Sequence, residues 1–352
     1  LSSVKIAVDA MGGDRAPAEI VKGAVMAAKE MKIALILVGN RDLISKELAG
    51  VTFDPEQITL HHCTEAAGMG EPPLEVIRRK KDASIRVALE LVKKGQADGV
   101  VSAGNSGATM ALGVVVLGKL PGVDRPALGA ILPTPHSSTL LIDVGANVDC
   151  TPPQLVQFAV MGESLLRYTL KRSHPRIGIL SIGEEETKGN SLVHQTAELL
   201  RKTPLNFIGN VEGRDIFSDN VDVVVCDGFV GNICLKLSEG LVSTIGAMLK
   251  EEIGSSLTSK VGYLFLQSAF KRFAKKVDYT EYGGVPLLGV NGVVVVSHGS
   301  SNAKAIMNAI RVAEQTVRSR MNDHIREGLE QYNAYYHKPH RFWDSLKKKI
   351  SN

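Results

Sequence analysis

Five short segments of this chain combine glycine with a carboxylate, an amide or a hydroxyl. They are Val8-Asp9-Ala10-Met11-Gly12-Gly13-Asp14, Ser102-Ala103-Gly104-Asn105-Ser106-Gly107, Leu141-Ile142-Asp143-Val144-Gly145-Ala146-Asn147, Cys226-Asp227-Gly228-Phe229-Val230-Gly231-Asn232 and Ser297-His298-Gly299-Ser300-Ser301-Asn302. Where such a turn opens a helix, unpaired backbone N–H groups and the positive end of the helix dipole face outward, and glycine lets an anion come close to them. The chemistry this suits is the holding of phosphate or a phosphate ester. The candidate contacts are Asp9, Gly12, Gly13, Asp14, Asn105, Ser106, Gly107, Asp143, Asn147 and Gly231. A sixth segment, Ser181-Ile182-Gly183-Glu184-Glu185-Glu186-Thr187-Lys188-Gly189-Asn190, sets three acids beside Lys188. It reads as a solvated loop or as a lysine kept protonated as a point charge for phosphate.

Several common site patterns are absent. There is no GxxxxGK[ST], no GxGxxG after the first strand and no GxSxG, so neither a P-loop, an ordinary dinucleotide fold nor a hydrolase elbow is indicated. The four cysteines, Cys63, Cys150, Cys226 and Cys234, are scattered without CxxC pairing or a His/Cys cluster. No metal site is expected, and a reduced compartment is. Cys226 stands beside Asp227, whose charge would disfavour a thiolate, so it reads as a buried structural residue. The opening residues carry no secretory leader pattern, and no apolar run approaches the roughly 20 residues of a membrane span. The expected location is the cytoplasm.

The elements that must position these turns follow from an alternation of Val/Ile/Leu runs with longer helical stretches. Strands are expected at Lys5 to Val8, Ala34 to Val38, Ile58 to Leu60, Gly99 to Ser102, Thr139 to Asp143, Ile177 to Ser181, Asn206 to Ile208, Val221 to Cys226 and Val293 to Val296. Helices should open at Pro17, Pro152 and Ser301. The fold class is α/β, a mostly parallel sheet flanked by helices, with ligands beyond the carboxyl ends of the strands. Residues 98–107 line up without a gap on 222–231, an internal echo of strand, GxxG and helix. With 352 residues and 44% apolar composition, residues 1–330 are read as one α/β catalytic unit with an inserted helical hairpin near 238–282, and residues 331–352 as a basic, aromatic tail.

Taken in order, IAVDAMGGD, Glu71 to Ser84, VVSAGNSGA, IDVGAN, SIGEEETKGN, CDGFVGN and Val285 to Asn302 resemble the bacterial phosphate acyltransferases of phospholipid synthesis, the acyl-carrier-protein:phosphate transacylases. The likeness runs from Ile6 to about Arg326. It implies reversible transfer of a fatty acyl group from acyl-carrier protein to inorganic phosphate, giving acyl phosphate for a membrane glycerol-3-phosphate acyltransferase. It also implies a homodimer, no metal or organic cofactor, no nucleic acid, and a fold related to phosphotransacetylases and isocitrate/isopropylmalate dehydrogenases. Within that chemistry the expected catalytic residues are Lys188 for the phosphate charge, Asn232 with the Gly231 turn for the oxyanion, and His298 for the departing thiolate. Open alternatives are a phosphotransacetylase using acyl-CoA, a metal-dependent hydroxyacid dehydrogenase and a non-enzymatic scaffold.

Two surfaces complete the reading. The basic run Arg78-Arg79-Lys80-Lys81 suits docking of an acidic carrier protein, although such runs are commonly only solvated. Tyr263, Leu266, Phe270, Phe273 and Val277 form one helical stripe with Lys271, Arg272, Lys275 and Lys276 opposite, which leaves Val261, Leu264 and Phe265 as candidate membrane contacts or as part of a dimer interface. The expected location therefore extends to peripheral membrane association.

Overall fold

The computed structural model describes residues 4–277 and 283–336. The end of the expected tail, 337–352, the side chains of 333–336 and those of Lys275 and Val277 lie outside the described residues. Eleven strands are described: β1 (Lys5–Asp9), β2 (Ala34–Gly39), β3 (Ile58–His62), β4 (Gly99–Ser102), β5 (Ala127–Pro133), β6 (Ser138–Ile142), β7 (Ile177–Leu180), β8 (Phe207–Val211), β9 (Val223–Val225), β10 (Val285–Leu288) and β11 (Val293–Val296). The helices are α1 (Ala18–Met31), α2 (Arg41–Leu48), α3 (Pro73–Arg79), α4 (Ser84–Lys93), α5 (Ser106–Leu117), α6 (Pro152–Ser164), α7 (Ser191–Leu200), α8 (Gly228–Gly254), α9 (Leu257–Val277), α10 (Ala303–Arg318) and α11 (Met321–Tyr336).

All strands join one sheet in the order β3-β2-β1-β4-β11-β10-β5-β6-β9-β7-β8. Only the pairs β11–β10, β10–β5 and β5–β6 are antiparallel. The sheet is thus two parallel wings joined through an antiparallel centre, with β11, β4, β1, β2, β3 outward on one side and β6, β9, β7, β8 on the other, running in opposite directions. Alternation along the strands sorts the core by face. One face is continuous across both wings: Ala7 and Val100 lie under α4, and the same cluster runs on through Leu128, Leu141 and Val224, where α8 and the 3-10 turn Gly213–Phe217 adjoin β6. The other face is split: Ile6, Val8 and Val295 pack with α1 and α10, while Leu140, Ile142 and Ile179 pack with α6 and α11.

The expected fold class is the observed one, with two strands added by the structure. β5 contains Gly129 and ends on Pro133, and β10 contains Pro286. Glycine and proline weaken a strand reading, and only pairing on both sides rescues these two segments. Helix starts hold at Pro17, which precedes α1, and at Pro152, where Thr151 and Gln154 form a capping box. At α10 the cap is Asn302 rather than Ser301, because Asn302 Oδ1 accepts from Ala305 N at 2.9 Å while Ser301 is buried against Ser297. α8 begins at Gly228, inside the glycine turn itself, and runs 27 residues before α9 folds back on it. Among the described residues no helix is long and apolar enough to cross a membrane.

Candidate active site

The glycine turns lie at the carboxyl ends of their strands, and adjacent strands bring them together. In the first wing, Asp9 ends β1 and is buried; its Oδ2 accepts from Ser102 Oγ at 2.7 Å and its Oδ1 from Met11 N at 3.3 Å. A Cβ at Gly12 would overlap that carboxylate, so glycine is required for the turn to close over it. Asp14 N donates to Gly299 O at 2.8 Å, which ties the first turn to the last. In the second wing, Asp143 plays the matching part. Its Oδ1 accepts from Leu128 N and Ala146 N at 2.9 and 3.1 Å, and its Oδ2 from Asn147 N and Asn147 Nδ2 at 2.7 and 2.9 Å. Burial pushes both carboxyls up from the usual range, and the donors around them work the other way. Asp9, Asp143 and Asn147 therefore act as pins beneath the turns.

Asn105 also works within the protein. Its Oδ1 caps α5 through Ala108 N at 3.0 Å, and its Nδ2 donates to the carbonyls of Gly68, Met69 and Glu71 at 3.2, 3.0 and 2.8 Å. The same loop is held from its other side by Lys80, whose Nζ lies 2.7 Å from Glu71 Oε1 and 2.6 Å from Ala66 O. The rim beside the Gly104 turn is thus fixed by residues whose charges and amides are already used. Gly107 packs close to Pro73 of α3.

The residues that do converge are Ser106, Asn232 and His298. They come from three different turns and line one cavity of about 340 Å³, together with Gly145. Gly145 lies beside Asn232 and holds φ +134°, a backbone conformation that a side chain would strain. Asp227 caps α8 through Val230 N at 2.9 Å, and Gly228 N donates to Asn147 O at 2.7 Å. These bonds lock the start of α8 onto the Asp143 turn and fix where Asn232 stands. At His298 the ring Nδ1 accepts from Ser300 N at 3.2 Å and meets Ser300 Oγ at 2.8 Å. With Nδ1 as acceptor, the neutral ring carries its proton on Nε2.

Lys188 is exposed and does not line this cavity. Its loop is shaped by Lys188 N donating to Glu185 O at 2.9 Å and by Asn210 Nδ2 donating to the carbonyls of Glu185 and Lys188. Two of the acids pair elsewhere, Glu184 with Arg214 and Glu186 with Arg201. The loop's Asn190, with Ser181 and Asp227, lines a second hollow of about 310 Å³, on the other side of the first turn of α8. Cys226 is buried, and burial pushes its thiol well up, consistent with a structural residue. Residues that sequence reasoning did not single out also line the main cavity: Met110 one turn beyond Ser106, the β5 residues Leu128 to Pro133, and Phe217. The apolar run Ala127 to Leu132 was the available signal for β5.

The chain matches the family model described as "Fatty acid synthesis protein" over residues 4–324. It is 55% identical over 333 residues to the phosphate acyltransferase of Geobacter sulfurreducens, covering 94% of this chain and 96% of that one. It is 51% identical over 330 residues to the phosphate acyltransferase of Nitratidesulfovibrio vulgaris, covering 94% and 96%. Among solved structures, a phosphotransacetylase from Streptococcus pyogenes superposes with a TM-score of 0.62 at 17% identity, over 90% of this chain and 94% of that one. A 4-hydroxythreonine-4-phosphate dehydrogenase from Klebsiella pneumoniae superposes with a TM-score of 0.53 at 15% identity, over 90% and 100%. Those two likenesses concern the fold alone. With the family model matched from the first strand through the helix after β11, and with half of all positions shared with its curated members, the chain belongs to the phosphate acyltransferase family, enzymes of acyl transfer to phosphate.

Proposed function

We propose that this protein transfers a fatty acyl group from an acyl-carrier-protein thioester to inorganic phosphate. A phosphate oxygen attacks the thioester carbonyl carbon, the C–S bond breaks, and acyl phosphate and the carrier thiol leave. The presence of Ser106, Asn232 and His298 together in the lining of one otherwise largely apolar cavity carries the reading. A few polar groups in a mainly carbon lining suit a polar reaction on a substrate that carries an apolar group. Asn232 offers an amide N–H to the oxyanion, and His298, with its proton on Nε2, offers that proton to the thiolate. Lys188, on the exposed loop between β7 and α7, is assigned the phosphate charge. The test is to incubate the protein with phosphate and either an acyl-carrier thioester or acyl-CoA, then trap acyl phosphate with hydroxylamine. Product from the carrier thioester is expected; product from acyl-CoA alone would make the enzyme a phosphotransacetylase, and none from either would end the proposal. Lys188→Ala should lower kcat about tenfold or more with folding intact; unchanged turnover removes Lys188 from the reaction.

The partners follow from surfaces. Arg78 and Arg79 are exposed, Arg79 in only a long, solvent-exposed ion pair with Glu75 at 3.8 Å, whereas Lys80 is tied to Glu71 and Lys81 Nζ donates to Ile77 O, so the two arginines carry the docking of an acidic carrier. Charge reversal at Arg79 should raise KM for the carrier substrate; an unchanged KM removes this surface. On α8, Phe229, Ile233, Leu237, Leu241, Ile245 and Met248 recur every three or four residues and are all exposed, a stripe that supports a homodimer. On α9, Val261, Leu264 and Phe265 are exposed, the last at 83%, which supports peripheral contact with a membrane. Leu264→Glu with Phe265→Glu should release the protein from anionic vesicles, and retained binding would refute the contact.

A further inference from the structure

We infer that the main cavity is a passage open at two edges of the sheet: the carrier-borne thioester enters at the Ser106–His298 end, and phosphate meets it from the Asn232 end, on the side of Lys188. This rests on the transfer reading above. Strand register fixes the two ends. Val101 pairs with Val295 and Ser102 with Val296, so the Ser106 and His298 turns leave the sheet together. Val285 pairs with Val296 and Leu287 with Leu128, which sets those turns toward the Pro133 end of β5. Gly129 pairs with Ile142, and Ile142 and Ile179 both pair with Val225. The turns that hold Gly145, Asn232 and Lys188 therefore leave together at the Leu128 end. Both ends reach solvent, since Ser106 and His298 are exposed at one and Asn232 at the other. Between them the buried β5 residues Leu128, Ala130 and Leu132 give a floor about 14 Å long at the rise of a strand.

Docking decides which substrate takes which end. The helix that carries Arg78 and Arg79, α3, packs on α5, and a Cβ at Gly107 would meet Pro73 Cγ at 3.0 Å. Asn105 Nδ2 holds Glu71 O at 2.8 Å, so the residues before α3 are tied to the same turn. The basic helix thus starts beside Ser106. A folded carrier seated on the two arginines leaves that end to its own arm. Phosphate has to reach the carbonyl while the sulfur is still tethered to that arm, and the opposite edge is the way left to it.

The second wing's edge offers what an anion needs. Lys188 is exposed there, on a loop tight enough that a Cβ at Gly183 would meet Lys188 Cγ at 2.7 Å. The hollow of about 310 Å³ lies at this edge, lined by Ser181, Ile182, Asn190 and Asp227. Ser181 Oγ is buried and has no hydrogen-bond partner among the described residues. Buried hydroxyls are nearly always paired, so this one suits a contact that phosphate itself completes. Val230 lines the hollow and Asn232, two residues on, lines the cavity, so the first turn of α8 separates the two spaces.

The experiment varies acyl-carrier thioester and phosphate together in steady-state assays of the full-length protein and its variants. Met110 lines the cavity one turn beyond Ser106, and Met110→Trp should raise KM for the carrier thioester about tenfold while moving KM for phosphate less than about twofold. Ser106→Leu should give the same split, and its exposed position keeps the test valid should Met110→Trp fail to fold. Ile182 is 84% exposed, and Ile182→Glu should do the reverse, raising KM for phosphate about threefold at low salt. The carrier thiol should inhibit competitively against the thioester and not against phosphate. If the wild type makes acyl phosphate but the carrier thiol competes with phosphate, or Met110→Trp and Ser106→Leu raise both KM values equally or that of phosphate alone, the substrates share an end. The passage then falls and the transfer reading stands. If no thioester yields acyl phosphate, the transfer reading falls and this inference with it.

Discussion

The turn between β4 and α5 and the turn between β9 and α8 are built on the same plan and used differently. Each wing registers its strand with one aspartate. Asp98 N donates to Lys5 O at 2.7 Å while Lys5 N donates to Asp98 Oδ2 at 2.8 Å; Asp222 N donates to Arg176 O at 2.9 Å while Arg176 N donates to Asp222 Oδ2 at 2.8 Å. The aligned glycines then allow close helix approach, to Pro73 at Gly107 and to the Asp143 carbonyl at Gly231. Past that point the wings diverge. Asn105 spends its amide on the Gly68–Glu71 rim, and α5 stops after 12 residues. Asn232 has no such rim over it among the described residues, and α8 runs on as one wall of the cavity and as an exposed stripe. A shared supersecondary unit has thus become a fixed wall on one side and, in the reading proposed above, a reacting, partner-binding wall on the other.

The comparison can be broken most sharply at the two asparagines. Asn232→Ala should lower kcat/KM for acyl phosphate formation about 100-fold or more with little change in Tm, because its side chain is exposed. Asn105→Ala should instead cost stability, about 1 kcal/mol for the lost cap, with a smaller loss of rate. Equal effects of the two on rate and Tm, from steady-state assays and thermal unfolding, would erase the distinction. The glycines come next. Gly231→Ala would drive its Cβ into the Asp143 carbonyl and should cost about 3 kcal/mol, whereas Gly107→Ala meets a Pro73 ring carbon at 3.0 Å and should cost about 1 kcal/mol, read by denaturant unfolding.

The smallest effect is expected at the aspartates. Burial raises the Asp222 carboxyl, but the hydrogen bonds from Arg176 and the charges of Arg176 and Arg172 outweigh it and hold the group below its ordinary value of 3.8. A depressed folded-state value means that its stabilisation is full above 3.8 and is lost as pH falls through the folded value. Asp222→Asn should therefore cost roughly 1 kcal/mol near neutral pH, and the Tm gap to wild type should close below pH 3.8. Asp98→Asn, which leaves only one backbone N–H without its carboxylate, should cost less. A gap that widens in acid would contradict this account of Asp222.

Much of this was legible before any fold was known. Strand runs, the helix starts at Pro17 and Pro152, the echo and the burial of Cys226 all follow from local pattern, because apolar periodicity and turn chemistry act within a few residues. The candidate site was legible as a set of turns but not as roles. Asp9 and Asp143 have the same composition and setting as ligand-binding carboxylates, yet Asp9 is occupied by Ser102, 93 residues away, and Asp143 by Leu128 on the preceding strand together with Ala146 and Asn147 of its own turn. Lys80 looked like part of a charge run and is half-buried against Glu71.

The sequence by itself determined the α/β wings, the glycine turns and the family to which the chain belongs, since motif order and local propensity are properties of the linear chain. Only the tertiary structure decided that β5 and β10 close the sheet between the wings, that Ser106, Asn232 and His298 share a cavity, and that Lys188 is exposed and outside that cavity's lining. Those outcomes depend on which strands pair and in what register. Pairing energy comes from partners more than a hundred residues apart, as in Leu287 against Leu128, and no local pattern records it.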